Sequence, residues 1–597
     1  MAESPITNIS GATSFTIKAN GSTINSEIGI IAIHVFYQVN QIASAELVLS
    51  DGNMAMQTFD TSEGETFKPG SKISISVGYS SQEEVIFEGL VISHAIRIDN
   101  NNQSTLNITC KDQAIAMTVA RNSQSFLKQS DSDIISTLIS NCSGLTAEKV
   151  ESISEKHDEL VQFNCTDWDF LLTRAEANGL VVSNQSNSLS VTAPAIDKAP
   201  ELVVTYGTDL IDFSAETDAR HQLSQVTGIG WDPSQQKILK GQAAATSISG
   251  QGNFSDSDLA KVLDVKDYRL QTSGSLTQEM LEGWAKGQRV KSMLAKVRGS
   301  LTFQGNAKAK INTLIQLAGV GDRFNGSHYI GGVHHQIENG QWLTTVDLGL
   351  SPMWSTEHRD LGAPSGAGWL PPVDGLQIGL VTKLDEDPES QFRIQIEMPA
   401  LGDENNLVWA RLASYYATQK SGNFFIPEIG DEVIIGYVNN DPSQPIVLGS
   451  LYSSQHTSPY DLTAENNTKA IVTKNQLKVE FNDEDKVITI VTPGNNSITI
   501  SDKGKSITLS DQNKNTITMD DSGITLDSPK DITLSAKGKI ELKSTNNTSI
   551  TAQADVKVQG LNVNLEAQTG LTAKGSATAE LSASGITTIK GGLVKIN

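Results

Sequence analysis

The sequence predicts a mainly β protein of several domains, and three features predict it. Over the last hundred or so residues, two apolar residues separated by one polar residue recur about every eight positions. Ahead of that repeat, five strand-like runs bounded by turn residues fall within one short stretch. The first 110 or so residues also alternate apolar and polar side chains between turn signals. At 597 residues the chain exceeds what one hydrophobic core supports.

Taken in order, SFTIKANG, AELVLSDG, KISISVGY, EEVIFEGLVISHAIRI and STLNITCKD read as strands of a β-barrel or sandwich. The period then changes. In DSDIISTLIS, Asp131 or Ser132 can cap a helix whose Ile134, Ile135, Leu138 and Ile139 share a face. A second helix is expected in TDWDFLLTRAEANGL, opened by Thr166 or Asp167 and stopped by Gly179. Residues from about 200 to 350 return to strands around one longer helical pattern, LTQEMLEGWAKGQRVKSMLAKVRG, which Gly283 and Gly287 threaten to break. LGAPSGAGWLPPV reads as a linker. LQIGLVTKL, FRIQIEMPAL, LVWARLAS, DEVIIGYVNN and QPIVLGSLY suit a small Greek-key barrel of the OB type, with Pro442 and Pro445 fixing its sharpest turn and Asp441 closing an Asx bend.

The repeat runs through Ile488/Ile490, Ile498/Ile500, Ile507/Leu509, Ile517/Met519, Ile524/Leu526, Ile532/Leu534, Ile540/Leu542, Val556/Val558 and Val563/Leu565. Each unit offers two apolar residues to an interior and cannot form a core alone. Either one chain coils on itself as a solenoid, or three chains wind into a triangular, intertwined β-helix in which each supplies one face per layer. A dozen units at a strand spacing of ~4.8 Å would make a shaft on the order of 60 Å long. An open flat sheet is disfavoured because it leaves edges.

Composition narrows the function. No run approaches the ~18 apolar residues of a membrane span, and the first ten residues lack the basic start and apolar core of a signal peptide. Synthesis in the cytoplasm without a leader is therefore expected. Cys110, Cys142 and Cys165 read as buried free thiols. A net charge of −23 argues against nucleic acid or an anionic membrane as a general partner.

VQFNCTDWDFLLTRAEANGL (161–180), HYIGGVHHQIENGQWLTTV (328–346) and the stretch 408–454, with its FFIPEIGDEV and DPSQPIVLG, resemble the VgrG spike proteins of contractile injection systems. The resemblance implies a homotrimer with a tail-hub-like domain over 1–352, holding two β-barrels and helical insertions. A linker over 353–371, an OB-fold domain over 372–456 and a trimeric β-helix spike over 465–597 would follow. It also implies an inner-tube hexamer of the Hcp type at the hub, baseplate proteins around it, and transient contact with a target membrane. A PAAR-type tip protein, with effectors, would sit on Gly591, Gly592, Leu593, Val594, Lys595, Ile596 and Asn597. The shaft core would be the pairs from Ile488 to Leu542, namely Ile488, Ile490, Ile498, Ile500, Ile507, Leu509, Ile517, Met519, Ile524, Leu526, Ile532, Leu534, Ile540 and Leu542. The OB domain would rest on Phe424, Phe425, Ile426, Pro427, Gly430, Asp441, Pro442 and Pro445.

Reactive chemistry is not expected, and neither is a cofactor. His328, His334 and His335 form one histidine cluster, but in a strand His334 and His335 point to opposite faces. The acidic runs at Asp385, Glu386, Asp387 and Glu389 and at Asp483, Glu484 and Asp485 read as solvated turns without an aromatic platform beside them. Trp168 and Trp231 read as packing residues. Two rivals to a spike are a polysaccharide-degrading β-helical tail enzyme and a receptor-binding fibre. The first needs aromatics along the shaft, and the second needs a globular tip.

Overall fold

The computed structural model describes residues 2–6, 12–244, 246–357, 361–402 and 406–596. It divides into two compact units, Met1–Leu451 and Tyr452–Asn597.

In the first unit, alternation decides the strands. Ser44–Ser50 buries Ala45, Leu47 and Leu49 and turns Glu46 out, and Lys72–Tyr79 buries Ile73, Ile75 and Val77 in the same way. These strands belong to a 13-stranded sheet. The two strand sets expected of the hub are joined edge to edge in this sheet. Gly29–Gln38 pairs antiparallel with Gly326–Glu338, bringing Val35 opposite His335 and Tyr37 opposite Val333. That pairing removes two edges and gives both halves one core, in which Ile33, Val35, Leu47, Phe87, Phe303, Tyr329 and Val346 are buried.

Helix α1, Asp131–Ser140, is capped by Ser130, whose side chain accepts from the Asp133 N–H in a capping box. The cap falls one residue before the expected pair because Asp131 is engaged elsewhere. Helix α2, Asp167–Ala177, starts at Thr166, which accepts from the Asp169 N–H at 3.1 Å, and Gly179 after it has φ +68°. Helix α3, Asp256–Leu263, was not predicted. Only its Leu259 and Ala260 are buried, too short a stripe to read.

Helix α4, Gln278–Leu294, is unbroken across both glycines. A Cβ on Gly287 would lie 2.4 Å from the Glu176 carbonyl oxygen and 2.8 Å from the Trp354 ring, so this glycine permits a close helix approach. Cys110 is buried, whereas Cys142 and Cys165 are only half-buried. Trp168 is buried and Trp231 is not.

A closed five-stranded barrel follows: β1 (Gln377–Lys383), β2 (Arg393–Glu397), β3 (Leu407–Leu412), β4 (Glu432–Tyr437) and β5 (Pro445–Ser450), joined in the order β1-β2-β3-β5-β4. Val381, Ile394, Ile396, Ala410, Val433, Ile435 and Val447 fill it. Asp441 accepts from the Ser443 N–H at 2.8 Å, the expected Asx bend.

In the second unit, β6 (Thr468–Val472), β7 (Lys478–Asn482), β8 (Val487–Val491), β9 (Ser497–Ser501), β10 (Ser506–Ser510), β11 (Thr516–Asp520) and β12 (Gly523–Asp527) each pair antiparallel with the next in one layer. Residues 528–596 form no strand. Bends nevertheless recur there at 529, 537, 545, 553, 561, 568, 576, 584 and 592.

Candidate functional site

The most unusual surface is the open apolar face of the second unit. Two-residue periodicity puts Ile490, Ile498, Leu509, Ile517 and Leu526 opposite one another in successive strands, and Ile488, Ile500, Ile507, Met519 and Ile524 in a parallel row. Behind them Thr489, Thr499, Thr508, Thr518 and Thr525 line up on the other face. Turn chemistry fixes this register. Asp511 accepts from the N–H groups of Asn513 and Asn515 at 2.8 Å each, and Lys486, Lys505 and Lys514 adopt positive φ.

Both apolar rows are open to solvent in the single chain, with Leu509 half-buried among them. A contiguous face of this kind calls for a partner. Over 468–527 the chain does not coil on itself, because every strand pairs with its sequence neighbour in one layer. The open sheet, disfavoured from the sequence, is what one chain forms here. Its edges number two because the meander is continuous.

Beyond β12 the expected pairs Ile532/Leu534, Ile540/Leu542, Val556/Val558 and Val563/Leu565 lie in no strand and are exposed. The candidate tip residues Gly591, Gly592, Leu593, Val594, Lys595 and Ile596 are exposed as well, and Asn597 lies outside the described residues.

In the barrel, only Ile426 of the 424–427 corner packs against the core. Phe424 and Phe425 are 87% and 60% exposed, because the loop around Ala417–Thr418 and Ser421–Gly422 stands off the barrel. Gly430 has φ +91°, and Pro445 is buried at the start of β5. The acidic stretch of the β1–β2 loop is not simply a solvated turn. Asp387 binds Arg393, and Glu389 lines a cavity with the aromatic rings of Phe392 and Trp409, which sequence reading did not place there.

The three predicted histidines are held apart. His328 is buried, with Nε2 2.7 Å from the Phe324 carbonyl oxygen. His335 is buried with Nδ1 2.9 Å from Thr344 Oγ1, and burial pushes its pKa down to about 3. His334 faces the other way, stacked on Phe36 and 3.1 Å from His34. Burial and then His34 push His334 down to about 4. Among the described residues no group of three or more His, Cys, Asp or Glu is placed to hold a metal ion. Among the described residues no helix is long and apolar enough to cross a membrane.

Comparison with known proteins adds the following. The family model for the Alg8 N-terminal domain matches residues 10–339, more than half of the chain. That for the type VI secretion system/phage-baseplate injector OB domain matches residues 377–452, the span of the barrel. The chain is 31% identical to the type VI secretion system spike protein VgrG5 of Pseudomonas aeruginosa over 19% of its length and 16% of that protein. It is 28% identical to the spike protein VgrG3 of Vibrio cholerae over 28% of its length and 18% of that protein. Each alignment thus spans less than a fifth of the curated relative. A chain of the Francisella PdpA–VgrG complex aligns at 12% identity over 87% of this chain and 89% of that one, with a TM-score of 0.40. The expected likeness to VgrG-type spike proteins is borne out.

Proposed function

This chain belongs to the Alg8 N-terminal domain family, and from the injector OB-domain match over its barrel and its likeness to spike proteins we propose that it is a non-enzymatic homotrimeric spike. In this reading it caps an inner tube, centres a baseplate and is driven through a target envelope when a sheath contracts.

One observation carries the reading. Residues 528–596 bend every eight residues yet form no strand within their own chain. A regular backbone leaves N–H and C=O groups that must be paired somewhere. Strands from two further copies, one per face, meet that demand at each layer and bury the apolar rows of β8–β12 on the same three-fold axis. The chain then needs stiffness rather than a reactive group. Separating interwoven strands breaks many hydrogen bonds cooperatively, which makes unfolding slow under load.

The domain limits follow the sequence: a hub over 1–352, a linker over 353–371, an OB domain over 372–456 and a spike over 465–597. The hub would meet a hexameric inner tube of the Hcp type. Residues 591–597 would receive a PAAR-type tip protein with its effectors. Synthesis in the cytoplasm would precede assembly into the contractile particle.

Ile517→Asp tests this. Ile517 stands on the open face, 36% exposed in the single chain, where a carboxylate keeps contact with water. In a trimer it buries three unpaired charges in one layer, each strongly unfavourable. Sedimentation of the variant is expected to show dissociated chains with the first unit still folded. A variant that assembles like the parent would contradict the proposal.

A further inference from the structure

A cavity of ≈ 550 Å³ on the outside of the OB barrel plays no part in the spike reading. It opens where the β1–β2 loop, strands β2 and β3 and the β4–β5 loop meet, and Phe392, Trp409, Arg411, Gln391, Ser443 and Gln444 line it. In barrels of this topology, that face and those two loops are where extended polymer ligands lie.

The β1–β2 loop is built to present a ring. The Asp387 side chain, only 8% exposed, accepts from the N–H groups of Gln391 at 2.6 Å, Glu389 at 3.1 Å and Arg393 at 3.2 Å. It also accepts from Arg393 Nε at 3.0 Å and Nη2 at 2.6 Å. The hydrogen bonds from Arg393, foremost, hold its carboxyl well below the usual range. Drawn around this carboxylate, the backbone puts Phe392 at φ +58° with its side chain 95% exposed. A bulky residue at positive φ is strained. Here the strain gains no packing and sets an aromatic ring on the lip of the cavity.

Strand β3 supplies the other wall. Ala410 faces the core, so Trp409 and Arg411 both face outward. Arg411 stands opposite Arg393 on β2, a like-charge pair that is unfavourable unless neutralised. Arg393 is matched by Asp387 and by Glu389 at 3.4 Å. Among the described residues Arg411 forms no ion pair, and it is exposed.

Two aromatic rings, planar amides and one unmatched guanidinium fit a sugar polymer that carries carboxylates. The rings take the C–H faces of the sugars, the amides take hydroxyls, and Arg411 takes a carboxylate in the bidentate manner. A nucleic acid is held by a continuous positive groove that tracks its phosphates, whereas this cavity offers one unmatched cation and is otherwise lined by rings and amides. We propose that the outer face of the OB barrel binds an acidic oligosaccharide, stacked on Trp409 and Phe392 with a carboxylate on Arg411. The proposal stands independently of the spike role.

Calorimetric titration of the full chain with hexagalacturonate, neutral xylohexaose and hexathymidylate tests it. Hexagalacturonate is expected to bind, and Trp409→Ala or Phe392→Ala to weaken it by about tenfold or more. Arg411→Gln should weaken hexagalacturonate by a similar factor and leave any xylohexaose binding unchanged. Because Phe392 lies almost wholly in water, its variant carries no folding penalty that could imitate the loss. Absence of hexagalacturonate binding, undiminished binding by Phe392→Ala, or tighter binding of hexathymidylate would each overturn the proposal.

Discussion

Asp131 shows what single residues decide in this chain. Its carboxylate is buried and accepts from Arg174 Nε at 2.7 Å and Nη2 at 2.9 Å, and from Asn178 at 2.7 Å, with His157 Nε2 at 3.0 Å. Burial alone would raise its pKa, but the hydrogen bonds from His157, Arg174 and Asn178 outweigh it and leave the group below the usual carboxylate range. Asp131→Asn strands the Arg174 charge and should loosen the packing of α1 on α2 by about 3 kcal/mol. Amide exchange across both helices would then be faster by roughly a hundredfold at neutral pH. A carboxylate with a depressed native pKa stabilises fully above its unfolded value, near 4, and loses that contribution as the pH falls below it. The difference between parent and variant should therefore shrink below about pH 4. Sequence reading took Asp131 for a cap because capping is local and legible. Its true partners lie 26 to 47 residues away, where no periodicity reaches.

At the scale of elements, the two glycines of α4 separate propensity from packing. Both counted against an unbroken helix, yet only one has a structural reason to be glycine. A Cβ on Gly283 would meet nothing nearer than 3.4 Å, so Gly283→Ala should stabilise by roughly 0.5–1 kcal/mol through helix propensity. Gly287→Ala would drive a methyl into the Glu176 carbonyl and the Trp354 ring and should destabilise by about 1–3 kcal/mol. Opposite shifts of the thermal midpoint, measured side by side, check the pair. The barrel and β8–β12 were legible for a related reason, since their two-residue alternation is a local record of which face is buried. The single sheet joining Gly29–Gln38 to Gly326–Glu338 was not, because nothing in either strand names its partner three hundred residues away. Nor was the ring cluster of Phe392 and Trp409, which only barrel closure brings to one cavity.

For the whole molecule, the sequence and the structure make one demand in two forms. The repeat supplies one face of an interior, and the single chain leaves that face open along β8–β12 and forms no strand through 528–596. An apolar face in water and a periodic backbone without partners are both relieved by copies of the same chain on one axis. The mass of the full chain in solution, measured by light scattering at neutral pH, tests this most directly. The account predicts a particle of three chains, and a stable particle of one chain whose residues 530–596 resist amide exchange would contradict it.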